Sequence, residues 1–228
     1  MHKPSGCQDL DGHAHARAWD LVAALPLILF NSVAALGFAI MAVKAAQKPV
    51  DIIGVLQILS EIGSLVFFLM EAVMVCIRKL PLRKLTGFLP RASALAAAAA
   101  PFALLLLPHR TLAPAQSIAS ILLLLAGTVG GIVSLAFLGR SFAILPQARR
   151  LITNGPYRYI RHPLYLFGSL SLFGVGLQFA QPWGLAIAAA GLLFQFPRMR
   201  FEEQILMDAF PGYGDYRART AMLVPGIF

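Results

Sequence analysis

Two long apolar runs near the start of the chain, residues 21–43 and 52–77, limit what it can fold into. Each exceeds the roughly 20 residues with which an α-helix spans a bilayer core. Lipid offers no partner for backbone N–H and C=O groups, and a helix satisfies them internally. Pro26 and Asn31 lie inside the first run, where a membrane helix tolerates them. A short alanine-rich run follows at 92–107, and a fourth run at 116–138. The last two, 164–180 and 183–196, are separated by Gln181 and Pro182, a tight break that predicts a helical hairpin with arms near the minimum spanning length. The 228 residues are 58% hydrophobic and 13% charged, whereas a soluble domain is about 25% charged. The expectation is an all-α integral membrane protein of about five to six transmembrane helices. It divides into a polar tail at 1–20, a four-helix region at 21–138 and a C-terminal region at 139–228.

The formal charge is +9, and the location of the charges decides their meaning. They fall between the apolar runs, not along one stripe, which fits loops facing anionic lipid head groups. No nucleic-acid motif accompanies them, so membrane lipids are expected partners and nucleic acid is not. The loop after the second run holds Arg78, Lys79, Arg83, Lys84 and Arg91, and the segment after the fourth holds Arg140, Arg149, Arg150, Arg158 and Arg161. The alternate connections hold only Lys44 and Lys48 in one case and Arg110 in the other. Because Lys and Arg collect on the cytoplasmic side, both basic segments and both termini are expected there. The leader, with His2, Asp9, Asp11, His13, His15 and Asp20, lacks the short apolar core of a cleavable signal and reads as a cytoplasmic tail. Cys7 and Cys76 lack disulfide spacing and read as free thiols. Cys7, His13 and His15 form only a partial ligand set, so no metal site is expected.

Glu61 and Glu71 interrupt the second run, and a carboxylate at membrane depth calls for a function or a partner. Ten residues apart on a helix, they are separated by about 80° and could share a bundle-facing sector. Lining a path for substrate is the functional expectation. Gly127, Gly130 and Gly131 in the fourth run are read as a close-packing patch.

Chemistry concentrates after residue 139. Residues 151–165 read LITNGPYRYIRHPLY, where Gly155 and Pro156 set a loop and aromatic and basic residues crowd against an apolar helix. Pro163 suits the first turn of that helix, leaving free N–H groups near Leu164 and Tyr165 that can hold a carboxylate. His162 and Tyr165 add polar groups, and Tyr157 and Tyr159 offer faces for stacking a purine. The second cluster, RMRFEEQILMDAFPGYGDY at 198–216, should start as a helix and break at Phe210-Pro211-Gly212. Arg198 and Glu202 are then i,i+4 neighbours. By themselves these residues support a small-molecule site and no more.

LITNGPYRYIRHPLY resembles the pattern of the isoprenylcysteine carboxyl methyltransferase family, a leucine followed by glycine, tyrosine and an Arg-His-Pro-x-Tyr core. RFEEQIL resembles its Arg and Glu-Glu-x-x-Leu element, and FPGYGDY its following aromatic element. The likeness covers about residues 139–228. It departs from the family where Arg149 and Arg150 replace positions that are often polar, and where FPGY shifts the aromatic element by about a residue. The resemblance implies a membrane enzyme that binds S-adenosyl-L-methionine in a cytoplasmic pocket closed by the C-terminal segment. It implies cofactor contacts from Arg150, Leu151, Ile152, Tyr157, His162, Pro163, Leu164, Tyr165 and Glu202, and a substrate role for Arg198. The acceptor is lipophilic or small, with prenylcysteine carboxylate most like the family and amines or thiols also used by similar proteins. Arg198 would orient a carboxylate, and Glu203 or His162 would serve as base for an amine or thiol. Other readings are a sterol-reductase-like membrane reductase using NADPH, and a small membrane transporter or assembly protein centred on Glu61 and Glu71.

Overall fold

The computed structural model describes residues 5–47, 51–85, 87–143, 145 and 147–226. The described residues form an all-helical bundle: α1 Ser5–Ala46, α2 Ile52–Ile77, α3 Phe88–Leu104, α4 Pro114–Leu138, α5 Pro163–Gly176, α6 Trp183–Ala209 and α7 Tyr213–Arg219. Three stretches are long and apolar enough to cross a membrane: Arg17–Ala46, Ile52–Ile77 and Pro114–Ser141. Phe88–Leu104 and Pro163–Gly176 are apolar but shorter. Leu29, Val33 and Leu36 on α1 and Leu59, Val66 and Val73 on α2 stay exposed, which suits helices whose outer face meets lipid.

Packing runs α1 on α2, α2 on α4, α4 on α5, and α6 on both α5 and α3. In a bilayer, helices gain from close approach through small residues, because lipid tails are as apolar as leucine. An added Cβ at Gly127 would lie 2.6 Å from the Phe167 carbonyl oxygen, and one at Gly131 would lie 3.0 Å from the Phe67 ring. The Ser120 hydroxyl donates to the Gly174 carbonyl at 2.8 Å, tying α4 to α5. The glycine patch is therefore a packing device.

Several boundaries differ from the sequence expectation. The helix that carries the apolar stretch Arg17–Ala46 begins earlier, at Ser5, so the polar tail from that residue on is helical; polar composition does not stop a helix that continues past the lipid. The side chains of Cys7 and His13 lie outside the described residues. The hairpin arms are unequal, with α5 ending at Gly176 and α6 running 27 residues into the second motif cluster. That cluster starts as a helix and breaks after Ala209, where Pro211 cannot donate to the ladder.

Both basic segments meet at one end of the bundle. Strands β1 Arg83–Lys84 and β2 Gln147–Ala148 pair antiparallel, with Arg83 opposite Ala148. Asp20 on α1 is 2.8 Å from Arg78 Nε and 3.5 Å from Arg149 Nη2. The start of α5 and the charged half of α6 join them there.

Candidate functional site

The site is built where loop, helix start and C-terminal segment converge. Gly155 has a φ of 59°, and a Cβ there would lie 2.5 Å from the Phe137 ring, so this turn needs glycine. The turn leads through Gly155–Arg158 and buries Tyr157. His162 caps α5 and Pro163 occupies its first turn. Residues after α7 run back along this loop. The Arg161 N–H donates to the Ala221 carbonyl at 2.8 Å, the His162 N–H to Met222 at 3.1 Å, and the Ala221 N–H to Tyr159 at 3.2 Å. The Tyr216 hydroxyl adds a bond to the Tyr157 carbonyl at 2.7 Å.

These elements enclose a cavity of about 270 Å³. Arg150, Leu151, Ile152, Tyr157, His162, Leu164, Tyr165, Arg198 and Glu202 all line it, so most of the residues singled out in the sequence are brought together. The Tyr165 hydroxyl donates to Glu202 Oε1. Arg198 lies over the Tyr165 ring, its Cζ 4.8 Å from the centroid, with its Nε 3.6 Å from Glu202. Arg198 and Glu202 therefore share one helix face, with Tyr165 between them and α5.

Two expected residues lie elsewhere. Pro163 is fully buried and shapes the helix start without lining the cavity. Glu203, expected as a base, also does not line it. One residue further along α6, it points about 100° away from Glu202. Its Oε1 accepts from Arg161 Nε at 2.6 Å and lies 3.3 Å from His162 Nε2, while Oε2 is 3.4 Å from Arg217. Burial pushes this carboxyl up, but the His162 and Arg161 hydrogen bonds outweigh it and hold the pKa at about 2. A carboxylate so firmly ionised and turned away is a clamp, not a proton acceptor for substrate.

The lining also includes Arg149, and Glu71 of α2, which was expected to line a path for substrate, together with groups that the sequence did not point to here: Phe67 of α2, Ala98 of α3 and Arg161. Arg161 carried a signal, being the arginine of the Arg-His-Pro core. Phe67 and Ala98 carried none, since their distance along the chain hides their proximity. Glu71 and Glu61 part company: Glu61 lines a second cavity of about 280 Å³ with Ser60, His109 and Arg110. That cavity joins the start of α2 to the loop before α4.

Burial raises the phenol pKa values of Tyr157 and Tyr213, and pushes Tyr216 up to about 12, so all three remain hydrogen-bond donors near neutrality. Burial, then Arg78, pull Arg149 down to about 10 against the support of Asp20. Among the described residues, Arg149 Nε and Nη1 and the Tyr213 hydroxyl are buried without a hydrogen-bond partner. Buried donors are costly to leave unmade. Two guanidinium donors on separate edges call for anionic or carbonyl oxygens, and a phenol calls for a hydroxyl or carbonyl. An amino-acid head group joined to a nucleoside meets those demands, so the donor set fits S-adenosylmethionine.

Three relationships to known proteins bear on this geometry. Residues 115–212 match the model of the phospholipid methyltransferase family. The chain is 36% identical over 109 residues to the cobalt-zinc-cadmium resistance protein CzcN of Cupriavidus metallidurans, covering 46% of this chain and 50% of that protein. It is 32% identical over 108 residues to the nickel-cobalt-cadmium resistance protein NccN of Alcaligenes xylosoxydans xylosoxydans, covering 45% and 50%. The chain thus spans about half the length of the curated relatives it matches. The matched segment supplies α4, α5, α6 and most of the polar lining, and over residues 115–212 the chain is similar to the phospholipid methyltransferase family, the isoprenylcysteine carboxyl methyltransferase-like group of membrane methyltransferases.

Proposed function

We propose that this protein is a membrane-embedded S-adenosylmethionine-dependent methyltransferase acting on a lipophilic or small acceptor, with its cavity and both termini on the cytoplasmic side. The observation that carries the reading is the set of unmet donors in a cavity lined by the family-matched segment. The cofactor supplies a sulfonium methyl already activated for transfer. What remains for the protein is to bind, align and exclude water. Arg149 is positioned to hold the cofactor's carboxylate, Tyr157 and Tyr216 to flank its rings, and Glu202 to accept from its hydroxyl or amino groups. The apolar side, with Phe67, Ala98 and Leu138, gives a lipophilic acceptor a path from the bilayer. The names of the two relatives speak of metal resistance in those proteins. Among the described residues no three His, Cys, Asp or Glu side chains gather as a metal site, and the proposal needs none.

The test is calorimetry of the detergent-solubilised protein with S-adenosylmethionine and with NADPH. The expected result is binding of the first only. His162→Ala and Tyr165→Phe each remove one polar contact, so affinity should fall by about five- to a hundredfold, or about 1–3 kcal/mol. Binding of NADPH alone would favour a reductase and overturn the proposal.

A further inference from the structure

Glu71 has no task in the cofactor arrangement. It lies on α2, outside the family-matched segment, one turn beyond Phe67, and both line the cavity. Around them the wall is apolar, formed by Ala98, Leu138 and Leu164. The cofactor-directed donors belong to the loop before α5 and to the opposite wall. A carboxylate kept on the apolar side of a membrane cavity is expensive and calls for a purpose. Arg198 lines the same cavity and faces Glu202 at 3.6 Å. Two carboxyl groups therefore share the cavity with that guanidinium.

An acceptor carboxylate approaching Arg198 would add a third carboxyl group beside Glu202 and Glu71, which like-charge repulsion opposes. A nucleophile that carries a proton has the opposite relation to this wall. It can donate to Glu71 and give up its proton there. We infer that Glu71 meets the acceptor's reacting group and selects a protic nucleophile, an amine or a thiol, over a carboxylate; this rests on the methyl-transfer reading. In the step, the acceptor's lone pair forms the new bond to the methyl carbon. The electron pair of the broken carbon–sulfur bond stays on sulfur, and the acceptor's proton passes to the Glu71 carboxylate. A thiol loses that proton before transfer and an amine loses it from the ammonium product.

The experiment uses the full chain in lipid nanodiscs with methyl-labelled S-adenosylmethionine and three probes on one decyl chain: decylamine, decanethiol and decanoate. The amine or thiol should be methylated and decanoate should not. Glu71→Gln should slow the protic probe by about a hundredfold, the scale of a lost proton acceptor, and Glu71→Asp should recover part of that rate. Cofactor affinity of both variants should change by less than about twofold, which also shows that they fold. Probe binding measured without cofactor should favour amine or thiol over decanoate in the wild type and lose that preference in Glu71→Gln. If no probe turns over, this binding preference decides. Methylation of decanoate by the wild type, or a preference unchanged in Glu71→Gln, would overturn the inference while leaving cofactor binding intact. Failure of the wild type to bind S-adenosylmethionine would instead overturn the methyl-transfer reading itself.

Discussion

Removing the Glu203 carboxylate should release the C-terminal segment from the cavity. Its side chain is 4% exposed and accepts from Arg161, itself 10% exposed, at 2.6 Å. Taking one partner from a buried pair typically costs about 3–5 kcal/mol, because the other charge is stranded. Arg161 is not stranded completely, since its Nη1 also donates to the Arg217 and Thr220 carbonyls. The Arg217 pair, with Arg217 47% exposed, adds little. The cost of Glu203→Ala should therefore sit near the lower bound, about 3 kcal/mol. Glu203→Gln keeps an acceptor and loses only the charge, for about 1.5–3 kcal/mol. The pH dependence has a definite sign. The folded pKa is depressed to about 2, below the ordinary 4.5. The carboxylate's contribution is thus complete above the ordinary value and disappears as pH falls toward the folded one. The gap in melting temperature between wild type and Glu203→Gln should be full near neutrality and close in acid. Hydrogen exchange at residues 213–222 should rise in both variants. Melting and exchange indistinguishable from wild type in Glu203→Ala would refute the clamp.

Gly127→Ala drives a Cβ into the Ser171 hydroxyl and to 2.6 Å from α5 backbone, and should lower stability in nanodisc melts by about 1–3 kcal/mol. Gly37→Ala, with nothing within 4 Å of the added carbon, should be neutral or slightly stabilising. A cysteine introduced at Arg83 should react with an impermeant thiol reagent only from the cytoplasmic side, and labelling from outside intact cells would overturn the proposed orientation.

What could be read from the sequence follows from which signals are local. α2 and α4 were legible because an apolar run of spanning length has few alternatives in lipid. The clustering of Tyr157, His162, Tyr165, Arg198 and Glu202 was legible because those residues mark a polar loop and a polar helix segment against apolar ones. The start of α1 was not, since polar residues stop being informative once a helix leaves the bilayer. The mistake at Glu203 has a geometric cause. Adjacent carboxylates differ by about 100° around a helix, and only the register set by Tyr165 and Arg161 decides which of the two faces the cavity. Glu71 was conspicuous as a membrane carboxylate, yet Arg198 and the other polar residues of the cavity it lines lie far along the chain. Convergence across a bundle leaves no mark in either local segment.

The division of labour in the cavity follows the division of the chain. Residues 115–212 bring the loop, the start of α5 and the charged face of α6, which together carry the proposed cofactor contacts other than those of Tyr213 and Tyr216. They do not close the cavity. Phe67 and Glu71 come from α2, Ala98 from α3, and Tyr213 and Tyr216 from α7. Asp20, from α1, sets the charge balance of Arg149 through ion pairs to Arg78 and Arg149. On the proposed reading, a shared cofactor asks for one arrangement of donors, so the segment proposed to hold it can match a family model. An acceptor asks for whatever shape and charge its own reacting group needs, and the proposal assigns that side to α2 and α3. The family match therefore bears on the proposed methyl donor, while the proposed acceptor is to be sought through Glu71 and its neighbours.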